Sequence, residues 1–218
     1  MIRTERYYTV AVLLEGEPCL VVGGGRVAER KVVGLLEAGA CVRVVARDTC
    51  ESLREAAESG RIELRLGEVT ASDLDDPVLV IAATDDTEVN AWVAGECRAR
   101  RIPVNVVDVP ALCTFYVPAT VRRGPLAISI MTGGEAPALA KRLRRHIEEH
   151  VGEEYGLLAS LMGSLRGEVR AETAELPNRT EAWRRLAESE EVLSLLADGR
   201  EGEARALARR ILGLDLDA

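Results

Sequence analysis

The sequence predicts an α/β protein: a doubly wound parallel sheet, a small α+β dimerisation segment, and a helical C-terminal domain. Three observations predict it. Short β-branched runs alternate with helical stretches through the first half, as a parallel sheet with helical crossovers requires. After residue 113 the pattern changes to two strand-like runs flanking Arg122-Arg123-Gly124-Pro125. From about residue 151 the chain is rich in Ala, Leu, Glu and Arg at helical spacing. The expected divisions are therefore 1–113, 114–150 and 151–218.

Each element follows from local chemistry. Cys19-Leu20-Val21-Val22 is a continuous apolar run, as expected of a strand covered on both faces, and it ends in three glycines. A helix is expected from Val27 to Ala38, closed by Gly39 in the left-handed conformation. Val42–Ala46 reads as a second strand, Leu53–Ser59 as a short helix closed by Gly60, and Ile62–Leu66 as a third strand. Val78–Ala83 is a fourth strand, followed by a helix over Thr87–Arg100. Pro103–Val107 is a fifth, its proline at the tolerated first position. Phe115–Val121 and Leu126–Met131 read as a β-hairpin. Pro137 then opens a helix where a missing N–H costs nothing. The tail should form two or three helices, broken near Pro177-Asn178 and Asp198-Gly199.

Composition removes several function classes. The 218 residues carry a formal charge of −8, which argues against a nonspecific nucleic-acid binder or a binder of anionic membranes. Aromatic residues are only 3%, too few for a base-stacking module. No apolar run approaches the ~20 residues of a bilayer-spanning helix, and the first residues lack a signal-peptide core. The five cysteines are scattered, odd in number and form no C-x-x-C pair, so a reduced cytoplasmic protein without structural zinc is expected. Charge is uneven: residues 1–113 carry a net of −6. In contrast, Arg122, Arg123, Lys141, Arg142, Arg144 and Arg145 face a single acid, Glu135, between residues 121 and 145.

The motifs narrow the chemistry. Gly23-Gly24-Gly25-Arg26-Val27-Ala28 matches G-x-G-x-x-A directly after a strand and at the start of a helix. In that Rossmann-like setting Gly23 permits the tight turn, Gly25 lets a pyrophosphate reach the backbone, and Ala28 lets helix and strand pack closely. Free N–H groups at the helix start favour the anion. The usual ribose-binding acid stands at the tip of the second strand, but here Ala46 holds that place. Asp48 just beyond could reach a ribose hydroxyl, whereas Arg47 could meet a 2′-phosphate, so the residues leave NAD against NADP open. Thr84 and Asp85 follow the fourth strand at its ligand-bearing end, either contacting the cofactor or, with Asp86, capping the next helix. Asp108 lies just past the fifth strand, where a carboxylate can take a proton or simply serve a turn. Thr132-Gly133-Gly134 makes a second glycine-rich loop before the Pro137 helix, able to hold a carboxylate or merely to connect. His146 and His150 lie four apart, but Ile147 holds the Glu position of H-E-x-x-H. The pair reads as a solvated helix face, and no metal site is expected.

Taken in order, these motifs resemble the precorrin-2 dehydrogenase family, the NAD-dependent part of siroheme synthase. The resemblance rests on Val21 to Lys31, Ile81-Ala82-Ala83-Thr84-Asp85-Asp86, Asn105-Val106-Val107-Asp108, Arg122-Arg123-Gly124-Pro125-Leu126, and Thr132-Gly133-Gly134 through Pro137-Ala138-Leu139-Ala140. It covers residues 7 to about 150 closely and the tail more loosely. It implies oxidation of precorrin-2 to sirohydrochlorin with NAD, and in some members insertion of Fe2+ to give siroheme. It also implies a homodimer that swaps or packs residues 114–150 across its two-fold axis. Asp108 would be the acid–base residue. Gly23, Gly24, Gly25, Arg26, Val27, Arg47, Asp48, Thr84 and Asp85 would bind the cofactor. Asn105, Arg122, Arg123, Thr132, Gly133 and Gly134 would bind the substrate, whose many carboxylates call for the basic cluster. Two other readings stand beside this one: a dinucleotide-sensing regulatory module, and an NADP-dependent reductase of another small substrate, favoured only by Arg47.

Overall fold

The computed structural model describes residues 8–133, 135–172 and 179–214. Cα proximity divides the chain into two compact units, Met1–Val117 and Pro118–Ala218.

The first unit is built on five parallel strands: β1 (Pro18–Val22), β2 (Cys41–Ala46), β3 (Glu63–Leu66), β4 (Leu79–Ala82) and β5 (Val104–Val106). Between them run α1 (Arg26–Glu37), α2 (Glu51–Glu58) and α3 (Thr87–Arg100). Spatial order is β3-β2-β1-β4-β5, with Val21 paired to Val44 on one side and to Ile81 on the other. The order reverses between β1 and β4, the crevice where doubly wound sheets bind ligands. Alternate residues of β1 feed the two faces: Cys19 and Val21 join the core under α1 and α2, Leu20 and Val22 the core under α3. That is why the strand reads as an unbroken apolar run. Gly39 and Gly60 adopt the expected left-handed conformation, at φ 77° and 70°.

The second unit opens with an antiparallel hairpin, β6 (Ala119–Arg123) and β7 (Leu126–Ile130), followed by α4 (Pro137–His150). β6 begins later than the expected Phe115. Residues 114 and 115 are instead tied to β5: Thr114 N–H donates to the Val104 carbonyl at 2.8 Å, and Asn105 Nδ2 to the Phe115 carbonyl at 3.0 Å. Pro118 then offers no N–H to a ladder.

Among the described residues four helices follow, α5 (Glu153–Glu172), α6 (Arg179–Ala187), α7 (Glu190–Ala197) and α8 (Glu201–Leu212), rather than two or three. The extra break is Ser189, whose hydroxyl caps α7 by accepting from Val192 N–H. The break at Asp198-Gly199 stands where expected, while Pro177-Asn178 lies outside the described residues. Leu158, Leu165, Val169, Leu186, Val192, Leu193, Leu196, Ala204, Ala208 and Leu212 close this helical core. No helix of the described residues is long and apolar enough to cross a membrane.

Candidate functional site

At the carboxyl ends of the strands the first unit encloses a cavity of about 1180 Å³. Its wall includes Gly23, Gly24, Gly25, Arg26, Val27, Arg47, Asp48, Thr84, Asp85 and Asp108. All nine residues expected at the cofactor, together with the expected acid–base residue, therefore share one cavity.

The three glycines do three different things. Gly23 turns the chain out of β1 at φ 123°, with its N–H on the Val45 carbonyl at 2.9 Å; a Cβ there would lie 2.4 Å from the Ala83 oxygen. Gly24 packs against the β2–α2 connection, where a Cβ would lie 2.0 Å from the Asp48 oxygen. Gly25 borders open space, since a Cβ there meets nothing within 4 Å. It is also the N-cap of α1, and no side chain caps that helix. The first turn thus presents its backbone N–H groups to the cavity, a cradle for a pyrophosphate. Ala28, fully buried, lets α1 approach β1.

The far wall is an ion cluster. Arg47 Nη2 lies 3.1 Å from Glu68 Oε1, and its Nη1 lies 3.9 Å from Asp86 Oδ2. Asp48 faces Arg54 at 2.9 Å and accepts from Thr49 N–H at 2.8 Å, so its carboxylate also orders the entry to α2. The N-cap of α3 is Asp86, which accepts from Glu88 and Val89 N–H. Thr84 instead donates its hydroxyl to Asn90 Oδ1 at 2.8 Å, and Asn90 Nδ2 returns a bond to the Thr84 carbonyl at 2.8 Å.

Asp108 follows β5 with φ 60°, one of two non-glycine residues at positive φ among the described residues. Asp tolerates this conformation better than most residues, and such outliers cluster at functional sites. Nearby, burial pushes the Lys31 ammonium below its usual range and Arg30 adds to this, while the charges of Asp108 and Cys113 oppose them. Asp108 is thus an exposed carboxylate on the cavity wall with a half-buried lysine in its field.

The residues expected at the substrate belong to both units. Asn105 is buried, and its amide is spent on the Phe115 carbonyl rather than on the cavity wall. Arg122, Arg123, Thr132 and Gly133 belong to the second unit, and Gly134 lies outside the described residues. Arg122 is exposed. Arg123 is not, and it ties β6 to the neighbouring helices. Its Nε donates to the Val151 carbonyl at 3.0 Å, its Nη2 to the Glu148 carbonyl at 3.2 Å, and it pairs with Glu153. Thr132 starts a turn in which its carbonyl accepts from Glu135 N–H, with Gly133 at φ 65°.

Gly24, expected at the cofactor through the resemblance, is the variable position of G-x-G-x-x-A, yet its packing is the tightest of the three glycines. Two participants escape the motif reading. Glu68 has the same strand-end signal as Asp108, being one residue past Gly67 after β3. Asn90 could be found as the polar member of the buried α3 stripe Asn90, Val93, Ala94, Cys97, whose spacing is helical.

Similarity to known proteins follows the same division. Residues 10–119, half of the chain, match the family model described as "Putative NAD(P)-binding". The chain belongs to this NAD(P)-binding family. Its cofactor class is a nicotinamide dinucleotide. Farther along, residues 123–150 match the central segment of sirohaem biosynthesis proteins, and residues 154–212 match the sirohaem synthase dimerisation region. This NAD(P)-binding chain therefore carries the siroheme-synthase resemblance along most of its length. It is 52% identical over 131 residues to a siroheme synthase of Methylobacillus flagellatus, covering 60% of this chain and 28% of that protein. A siroheme synthase of Methylococcus capsulatus is 47% identical over 138 residues, 63% of this chain and 29% of that one. The chain thus spans less than a third of these relatives. Among solved structures, one titled "SirC, precorrin-2 dehydrogenase" superposes with a TM-score of 0.71 at 25% identity. It covers 95% of this chain and 98% of that one.

Proposed function

We propose that this chain is a cytoplasmic, homodimeric dehydrogenase that oxidises precorrin-2 to sirohydrochlorin with NAD as the hydride acceptor. The carrying observation is that Asp108 stands on the wall of the same cavity as the glycine loop. The whole-length likeness to a precorrin-2 dehydrogenase supports the substrate assignment.

The residues fit the cofactor. The uncapped start of α1 receives the pyrophosphate, and the open space at Gly25 admits it. When bound, the nicotinamide supplies a two-electron acceptor for hydride. What the protein must add is orientation and a proton acceptor. Oxidation breaks one C–H bond of the macrocycle with its electron pair departing as hydride, and a proton leaves with it. Asp108, at the cavity wall, takes that proton. Thr84 and Asp85 line the same wall, and the Thr84–Asn90 bonds fix the loop after β4. Arg122 and the Thr132–Gly133 turn are assigned to the substrate carboxylates, Arg123 to holding the strand that carries Arg122, and Asn105 to holding β5. In members that also chelate, the same Asp108 would accept pyrrole protons as Fe2+ enters sirohydrochlorin.

NAD is preferred over NADP because Arg47 is already engaged by two carboxylates, Glu68 and Asp86. A 2′-phosphate would meet a cluster of net negative charge, whereas a 2′-hydroxyl can donate to Glu68. Homodimerisation is supported by the dimerisation-region match over residues 154–212. The divisions at 113 and 150 are kept as the functional ones: dinucleotide domain, hairpin-plus-helix segment, and the helical domain that carries the dimerisation-region match.

The test is spectrophotometric. Precorrin-2 with NAD should generate NADH absorbance, and NADP should support a markedly lower kcat/KM. Glu68→Gln should move the NAD-to-NADP ratio toward NADP by about tenfold, the scale of one nearby charge. An NADP preference in the wild-type chain would mean that Arg47 governs the site. Absence of precorrin-2-dependent NADH with intact NADH binding would favour a dinucleotide-sensing module instead.

A further inference from the structure

We propose that His146, Glu149 and His150 form a binding site for one first-row divalent cation on the exposed face of α4. Residues separated by three and four positions share a helix face, one turn apart. Their ligand atoms all lie within 4.8 Å of one another, and the two imidazole centroids are 4.2 Å apart. Rotation of exposed side chains closes that spread to the spacing that bonds of about 2 Å to a common ion require.

Two further features prepare the site. His150 Nδ1 lies 2.7 Å from the His146 carbonyl oxygen. A carbonyl only accepts, so Nδ1 carries the proton and Nε2 keeps its lone pair for a metal. Backbone-to-imidazole bonds of this kind fix the tautomer and ring orientation of metal-binding histidines. His150 is also the last residue of α4, where the partial negative charge of unsatisfied carbonyls favours a cation. Arg144 is paired with Glu148 at 3.3 Å, and Glu149 forms no salt bridge among the described residues.

The pattern here is H-x-x-E-H, the reverse of the motif that Ile147 breaks. All three groups are exposed, so water fills the remaining coordination positions and the ion exchanges freely. Arg142 and Arg145 on the same helix lower its affinity relative to a buried structural site. Two imidazoles and one carboxylate select Zn2+, Ni2+, Co2+ or Fe2+ over the all-oxygen preference of Mg2+.

The experiment is calorimetric titration of the full-length, chelator-treated protein with Ni2+ and Zn2+, with Mg2+ as the contrast. One Ni2+ per chain is expected, with no heat from Mg2+. The His146→Gln/His150→Gln double variant should lose the site, and Glu149→Gln should weaken it by about tenfold or more. NADH affinity and far-UV circular dichroism should be unchanged in both. Absence of uptake by the wild-type protein would overturn the proposal, as would uptake of equal affinity and stoichiometry in the double variant.

Discussion

The two units invest their sequence differently. In the first, β1 and β4 are almost wholly buried, and the chain leaves them through turns in which a single added carbon collides with backbone: 2.4 Å at Gly23 and 2.0 Å at Gly24. The residues these turns place sit on a cavity wall. The helical part of the second unit closes instead on Leu and Ala, with Leu165, Leu186, Ala204 and Ala208 inaccessible to solvent. Its surface is laced by Arg–Glu pairs such as Arg184 with Glu181 and Glu188. Exposed pairs of this kind add little stability; the packed leucines supply it. The contrast teaches that backbone constraint, rather than buried area, marks where the candidate site residues are concentrated. A side chain can be deleted from the helical core at a cost only in stability. A side chain added at the loop is expected to cost function.

The largest expected effect sharpens this contrast. Gly25→Asp places a like charge where the pyrophosphate must approach, at a position whose Cβ meets nothing and whose φ of −83° suits any residue. NADH titration should detect no binding, while circular dichroism stays that of the wild type. Retained NADH affinity in the folded variant would remove the loop from the site. The reciprocal change is Leu165→Ala. It should destabilise the chain by about 2–5 kcal/mol in urea denaturation, as truncations of buried leucines do, and leave NADH affinity within error. Loss of NADH affinity there would break the separation of roles.

Asp73 offers a smaller effect inside the first unit. Burial alone would raise its carboxyl, but bonds from Thr70 N–H, the Arg65 guanidinium and the Thr70 hydroxyl together hold it below the usual carboxylate range. A depressed folded value stabilises the protein above the unfolded pKa of about 3.9 and is lost as pH falls through the folded value. Asp73→Asn should cost about 1–3 kcal/mol at pH 7. That difference should shrink as the pH is lowered below about 4. A gap that is constant between pH 7 and 3 would show that the charge is immaterial.

Much of this was legible in the sequence because it depends on short-range rules. The strand order could not be read directly, yet β1 and β4 announced themselves by unbroken apolar runs, while β2, β3 and β5 set polar residues (Arg43, Glu63 and Arg65, Asn105) among aliphatic ones. The G-x-G-x-x-A loop lay where the helix start placed it, and Asp108 where the strand-end rule pointed. What was illegible depends on contacts distant in sequence. The Asn105 amide serves Phe115 ten residues away, and Arg123 reaches the Glu148 and Val151 carbonyls; nothing local separates such a residue from one that faces a ligand. The collision at Gly24 arises from Asp48, on another connection altogether. Glu149 entered no motif because the histidine pair was weighed against H-E-x-x-H, and its convergence on them is a property of the folded helix.

The most direct measurement compares wild type and Asp108→Asn in precorrin-2-dependent NADH formation, with NADH affinity determined on the same preparations. Asn keeps the shape of the side chain and suits the same left-handed backbone, but it accepts no proton at neutral pH. The account predicts a fall in kcat of about 10²–10⁴-fold with NADH affinity unchanged, because the glycine loop lies on a different strand. A folded Asp108→Asn protein that produces NADH at the wild-type rate would contradict it.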